Sequence, residues 1–201
     1  RQMCIRDSFK VWQRGTSLAS GGSTTYTADR WIVSSPNSGR TASRQSAGLD
    51  GFQYCMRVSR DSGNSTLGAL DLSQSVETIN SYQFAGKQIT LSFWARAGAN
   101  YSPASSGLYI GLQSGTGTDQ NIESSWTGGV SLVNTTITLT TSWQKFQFTS
   151  PVASSATGIG LYIRSTPVGT AGAADYFEIT GVQLEQNYQP TPFEQRPIGV
   201  E

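Results

Sequence analysis

The stretch TLSFWARAG, Thr90 to Gly98, decides the fold. Taken as a β-strand, it points Leu91, Phe93 and Ala95 to one side and Ser92, Trp94 and Arg96 to the other. The first set is a core face, and the second carries a ring and a guanidinium. The same period of two recurs along the chain. FQYCMRVS (52–59) sets Tyr54, Met56 and Val58 against Gln53, Cys55, Arg57 and Ser59. GLYIGLQS (107–114) sets Leu108, Ile110 and Leu112 against Tyr109 and Gln113. Thr136–Leu139 reads as another strand, and in WQKFQF (143–148) Phe146 and Phe148 oppose Trp143, Lys145 and Gln147. GIGLYIRS (158–165) sets Ile159, Leu161 and Ile163 against Tyr162 and Arg164. In DYFEITGVQLE (175–185), Phe177 and Ile179 face inward, and Gly181 marks a bulge that shifts the register before Val182 and Leu184.

Turn-forming clusters separate these runs: SSPNSGR, RDSGNS, GTGTDQN and TPVGTAGA. Only LSQSVETIN (72–80) has room for a helical turn or two. Many short, half-buried strands spaced by such turns predict an all-β protein, a two-sheet antiparallel sandwich of jelly-roll type. The opening RQMCIRDS breaks from the Ser/Thr/Gly-rich texture that follows, so residues 1–8 are expected to be a non-native or disordered leader, with an ordinary charged terminus as the alternative. The sandwich is expected over 9–186. Three prolines in YQPTPFEQRPIGVE predict an extended arm over 187–201.

Charged residues make up 13% of the chain and the net charge is +1, without a basic run. Binding to nucleic acid through phosphate neutralisation needs clustered cations, so it is not expected. Nor is membrane insertion, because no apolar run approaches the ~20 residues of a spanning helix. The chain has no histidine, the residue best suited to proton transfer near neutrality and the commonest transition-metal ligand. There is no Gly-x-Ser-x-Gly elbow, phosphate loop, dinucleotide fingerprint or Cys/His metal cluster. Glu77, Glu123, Glu178, Glu185 and Glu194 are scattered, which leaves a two-carboxylate glycan-cleaving enzyme as a distant third choice. No catalytic residues are assigned. The two cysteines, Cys4 and Cys55, are expected to be free thiols.

The side chains turned away from the core are Gln53, Arg57, Trp94, Arg96, Tyr109, Gln113, Trp143, Lys145, Tyr162 and Arg164. Sugars offer C–H faces that stack on rings and hydroxyls that pair with amides and guanidiniums. The expected ligand-binding residues are therefore Arg57, Trp94, Arg96, Tyr109, Gln113, Tyr162 and Arg164, joined by Trp126 from a loop-like context. The competing view is that such Trp and Arg groups stack on each other and merely cover a sheet, under a loop, the arm or a neighbouring subunit. A second candidate is YTADRWIV (26–33), where Tyr26, Asp29, Arg30 and Trp31 form either a rim or an internal Asp–Arg pair beside a buried Trp.

Four stretches carry a resemblance: SFKVWQRGTS (8–17), YTADRW (26–31), QSVETINSYQFAGKQITLSFWARAG (74–98) and TGVQLEQNYQPTPFEQRPIG (180–199). In this order they resemble a family of domains in tailed-bacteriophage structural proteins, especially tail-fibre and host-contact proteins. That family is similar to jelly-roll carbohydrate-binding modules, whose S-F-W-A-R and W-x-x-F-x-F strands are matched by Ser92–Arg96 and Trp143–Phe148. The resemblance implies a non-catalytic module of a virion tail protein, working outside the cell and recognising bacterial surface glycans. Its implied partners are a polysaccharide and, through a homotrimer or other virion proteins, the rest of the tail. A ligand-free structural or oligomerisation domain is the alternative. Many such modules carry an Asp pair, linked to a structural calcium, just before the last V-x-L strand. Thr180 and Gly181 stand there, so no cofactor is expected and a structural calcium is the one candidate.

Overall fold

Alternating apolar residues drive the chain into strands, and the computed structural model describes them over residues 3–20, 22 and 24–193. The strands are β1 (Met3–Asp7), β2 (Ser17–Ser20), β3 (Thr25–Tyr26), β4 (Ile32–Ser34), β5 (Arg40–Leu49), β6 (Phe52–Arg60) and β7 (Leu70–Val76). After the short helix α1 (Thr78–Ser81) come β8 (Gln88–Ala97), β9 (Gly107–Gly115), β10 (Val130–Thr138), β11 (Gln144–Pro151), β12 (Gly158–Ser165) and β13 (Tyr176–Glu185). The first sheet has the order β11-β8-β13-β6-β5-β2, with β1 also paired to β13, and the second has the order β10-β9-β12-β7-β4-β3. All pairings are antiparallel. The result is the predicted two-sheet sandwich.

The core lies between the sheets. Leu91, Phe93, Phe177 and Ile179 from the first sheet meet Leu72, Leu108, Ile110, Leu161 and Ile163 from the second, all with 0% exposure. Each such side chain contributes about 1.5–3 kcal/mol by leaving water. Gly181 has φ +60°, and the pairing of β13 with β8 shifts between Thr180 and Gln183, as the expected bulge requires. The bulge also changes the neighbour of β13 from β6, over Tyr176–Ile179, to β1, over Val182–Glu185.

The opening segment departs from expectation. Met3–Asp7 is a strand, with Ile5 2% exposed in the core. Asp7 accepts the Trp31 indole N–H at 2.7 Å. One buried isoleucine and a free edge of β13 outweigh the charges of this segment, so its described part belongs to the sandwich. LSQSVETIN holds the expected helical turn, α1 beginning at Thr78, after the strand β7 that ends at Val76. Past β13 the chain is irregular. Thr191 hydrogen-bonds Glu185, the Asn187 carbonyl accepts the Thr90 hydroxyl at 2.8 Å, and Phe193 lies 5.1 Å from the Phe52 ring. Residues 194–201 of the expected arm, and residues 1–2, lie outside the described residues.

Candidate functional site

Each sheet has an outer face, and the expected binding residues are divided between the two. On the first sheet the centre is Glu178 of β13, which is fully buried. Its Oε1 accepts from Arg57 Nε and Nη2 at 2.9 and 2.6 Å, and its Oε2 accepts from Arg96 Nε at 2.5 Å. Register explains the convergence, because Glu178 stands opposite Arg57 on β6 and opposite Arg96 on β8. Arg57 lies over the Tyr176 ring at 3.8 Å and Arg96 over Trp143 at 4.6 Å. The Trp143 indole donates to the Ala47 carbonyl at 2.9 Å. Three strands separate β11 from β5, so that bond requires the sheet to curl and bring its two sides together over this face. Cys55 is sealed beneath, and burial, reinforced by the Glu178 charge, pushes its thiol up to about 12. Trp94 is half-buried near Gly181 and Phe52. Arg57 and Arg96 are thus held between Glu178 and the rings of Tyr176 and Trp143, and Trp94 packs beside the Gly181 bulge.

On the outer face of the second sheet Tyr109, Gln113 and Tyr162 are half-buried and Arg164 is exposed, while Asp71 and Ser73 beside them are buried. Tyr109 of β9 lies over Gly111, where a Cβ atom would come within 3.0 Å of the ring. Its centroid is 6.1 Å from that of Tyr162 on β12, with the planes at 71°. Arg164 lies 4.9 Å over Tyr162 and forks onto Asp71 of β7, Nε to Oδ1 at 2.7 Å and Nη2 to Oδ2 at 2.9 Å. Those hydrogen bonds raise the Arg164 pKa, so the group is permanently charged, yet its side chain is 44% exposed. The Tyr162 hydroxyl is pushed up first by burial and then by the Asp71 charge. Gln113 lies along β9 on the same face, and Asn134 and Thr136 of β10 extend it, both exposed.

Loop 116–129 closes one end of this face. The Trp126 ring packs on Gly115 and Gly158, and its indole donates to the Ser114 carbonyl at 3.3 Å. Ile122 packs on Gly160. Trp126 is therefore a half-buried anchor of the loop instead of a free contact. Within the loop, Glu123 Oε1 is buried without a hydrogen-bond partner, and burial raises the carboxyl, helped by Asp71 and opposed by Ser73 and Arg164.

The eight expected binding residues thus fall on two surfaces. Tyr109, Gln113, Tyr162 and Arg164 come together, Trp126 stands at their end, and Arg57, Trp94 and Arg96 lie on the opposite side of the sandwich. The physical reason is that the chain crosses between the sheets repeatedly, after β6, β8 and β11 among other places, which alternation within a strand does not encode. The buried carboxylate Asp71 escaped the sequence reading, and Glu178 was seen there only as one of five scattered glutamates. A usable signal was an acid at an outward position of an otherwise apolar or small-residue strand, opposite an excess of arginines. The second sequence candidate shows both of its alternatives: Trp31 is buried and Arg30 stands 3.9 Å from Asp29, while Tyr26 and Arg30 are exposed. Among the described residues no three His, Cys, Asp or Glu side chains group to hold a metal ion, and no helix is long and apolar enough to cross a membrane.

No family model matches the sequence. No curated protein matches it either. The fold is similar to solved structures. A putative sugar-binding protein from Bacteroides thetaiotaomicron has TM-score 0.54 and 12% identity over 92% of this chain and 100% of that one. The CBM22-1 xylan-binding domain of Paenibacillus barcinonensis Xyn10C has TM-score 0.50 and 12% identity over 91% and 93%. The enzymatically active domain of bacteriophage CBA120 tailspike protein 4 has TM-score 0.53 and 12% identity over 77% of this chain, but the match spans only 19% of the tailspike chain. At these identities the likeness establishes a β-sandwich shared with carbohydrate-binding modules.

Proposed function

We propose that this chain is a non-catalytic carbohydrate-binding module of a phage tail protein, recognising bacterial surface glycans through the outer face of the second sheet. The observation that carries the reading is the platform of half-buried Tyr109 and Tyr162 with the exposed Arg164 beside them. Two rings offer stacking surface, a charged fork is pre-set by Asp71, and Gln113 adds an amide beside them. Stacking on such rings is worth about 1–3 kcal/mol per contact by analogy with bases on aromatic side chains. The fold shared with sugar-binding domains supports the substrate class. The sequence resemblance and the tailspike fold support the place in a virion, where copies of this chain and other tail proteins are the further partners.

The ligand-free alternative requires covered aromatics. On the first sheet Arg57 and Arg96 are tied to the buried Glu178, and we assign them with Trp94 to closure of the fold; on the second, Arg164 is exposed beside the half-buried Tyr109 and Tyr162. A glycan-cleaving role needs two available carboxylates. On the proposed face Asp71 has both oxygens on Arg164, which leaves Glu123 beside it without a second available carboxylate, and on the first sheet Glu178 is held by two arginines.

The test is retention on a broad bacterial-glycan array by the parent chain and by Tyr109→Ala, Tyr162→Ala and Trp94→Ala. Loss of one ring is expected to weaken binding about tenfold or more with the melting temperature nearly kept. Trp94→Ala is expected to lower the melting temperature and keep the affinity of the folded fraction. Undiminished retention by both Tyr variants, or loss of retention by a fully folded Trp94→Ala, overturns this placement.

A further inference from the structure

The loop that carries Glu123 and Trp126 also forms one wall of a groove of about 210 Å³. Asp119, Gln120 and Asn121 make that wall, Tyr26 and Arg30 of the β3–β4 hairpin make the other, and Ile32, Ser75 and Val76 lie between, with Glu77 also lining it. The wall is fixed before any ligand arrives. Thr78 N donates to Asp119 Oδ1 and Asp119 N to Thr78 Oγ1, both at 2.8 Å, and Ile122 N donates to Ser75 Oγ at 2.9 Å. The Gln120 amide is turned to Thr127, accepting from its N at 2.7 Å and donating to its Oγ1 at 2.9 Å.

The facing wall is exposed and polar. Tyr26 is 47% exposed, with Arg14 5.2 Å over its ring. Arg30 has φ +63°, a conformation that costs a non-glycine residue free energy and that clusters at ligand sites. Its side chain is 45% exposed and stands 3.9 Å from both the Glu77 and the Asp29 carboxylates, too far for a closed hydrogen bond to either. A donor fork and an acceptor carboxylate therefore face one small space beside an exposed ring and an apolar floor.

We infer that this groove is a second carbohydrate subsite, taking a single neutral pyranose ring or the end of a chain. Three features select that class. The groove is smaller than the ~300–1,000 Å³ of sites for drug-sized ligands. Tyr26 with Ile32 and Val76 matches the C–H faces of a sugar ring, and Arg30, Glu77 and Asn121 match its hydroxyls. Arg30 against Glu77 and Asp119 leaves a formal charge of −1 on the lining, which repels uronic acids and other anionic sugars. The inference is independent of the Tyr109–Tyr162 platform.

The experiment titrates the methyl glycosides of glucose, galactose, mannose and glucuronic acid into the isotope-labelled chain and follows amide and aromatic NMR signals. At least one neutral glycoside is expected to shift Tyr26, Arg30 and Asn121 with millimolar affinity, and glucuronide is expected to bind more weakly. Tyr26→Ala and Arg30→Gly should each weaken it about tenfold or more. Arg30→Gly separates binding from folding, because glycine accepts the positive φ and the variant should melt no lower than the parent. Absence of shifts in the groove with all three neutral glycosides, or shifts that persist in both variants, overturns the inference. Shifts confined to Tyr109 and Tyr162 also overturn it and leave the platform standing. Groove shifts in a chain that no polysaccharide retains support the groove and reject the platform.

Discussion

Glu123 is a carboxyl in the wrong surroundings, half-buried in loop 116–129 with Oε1 shut away and unpartnered. Burial is the largest influence on it and raises its pKa, the Asp71 charge adds to the rise, and Ser73 and Arg164 oppose it. The Tyr162 hydroxyl, also raised by burial, is the remaining titratable neighbour. A carboxyl raised in the folded state favours folding while protonated. Its contribution is therefore full below the ordinary ~4.3 of a glutamate and is lost as pH rises through the raised value. Glu123→Gln keeps the shape and cannot ionise. The variant is expected to melt above the parent near neutral pH and to meet it in acid. Thermal unfolding of both chains across that range checks the sign, and a variant less stable than the parent at neutral pH contradicts the account.

Strand β13 depends on one residue that can bend it. Gly181 takes φ +60°, and a Cβ atom there would stand 2.6 and 2.7 Å from the Phe52 ring. Gly181→Ala meets both obstacles and is expected to cost about 1–3 kcal/mol, read as a fall in the urea midpoint at constant slope. The bulge was readable in DYFEITGVQLE because its apolar residues change register at the glycine, and the sandwich was readable because alternation recurs in run after run. The division of the site was not readable. SFWAR and GLYIG alternate alike, and only hydrogen-bond partners put one in β8 of the first sheet and the other in β9 of the second. Arg57 and Glu178 are 121 residues apart, and their meeting follows from the register of β6 on β13. The strand in the opening segment was hidden for a related reason: a short edge strand needs only one buried side chain, here Ile5, to be fixed by a neighbour far along the chain.

The two sheets are joined by segments that cross between them, and three of these meet at one buried guanidinium. Arg60, 4% exposed at the end of β6, donates to the Asn64 and Thr66 carbonyls on the way to β7, at 2.6 and 3.2 Å. It also donates to Ser102 Oγ between β8 and β9 at 3.2 Å, and between β12 and β13 to the Gly169 carbonyl and Asp175 Oδ2, both at 2.9 Å. Asp175 is itself 3% exposed, and its other oxygen accepts Ser102 N at 3.0 Å. Beside them Arg40, fully buried, ties Thr66 and Gly68 to β5. Breaking a buried pair by removing one partner leaves an uncompensated charge and typically costs about 3–5 kcal/mol, whereas removing both charges costs much less than the sum. Arg60→Met is therefore expected to lose about that amount, and Arg60→Met with Asp175→Asn to recover part of it. The double-mutant cycle is measured by chemical denaturation, followed both by circular dichroism and by tryptophan fluorescence. Because the lost bonds hold both sheets, the two probes should fall together in every variant. Separate transitions would mean that the sheets are held by the hydrophobic core alone and that the Arg60 cluster secures only its own loops.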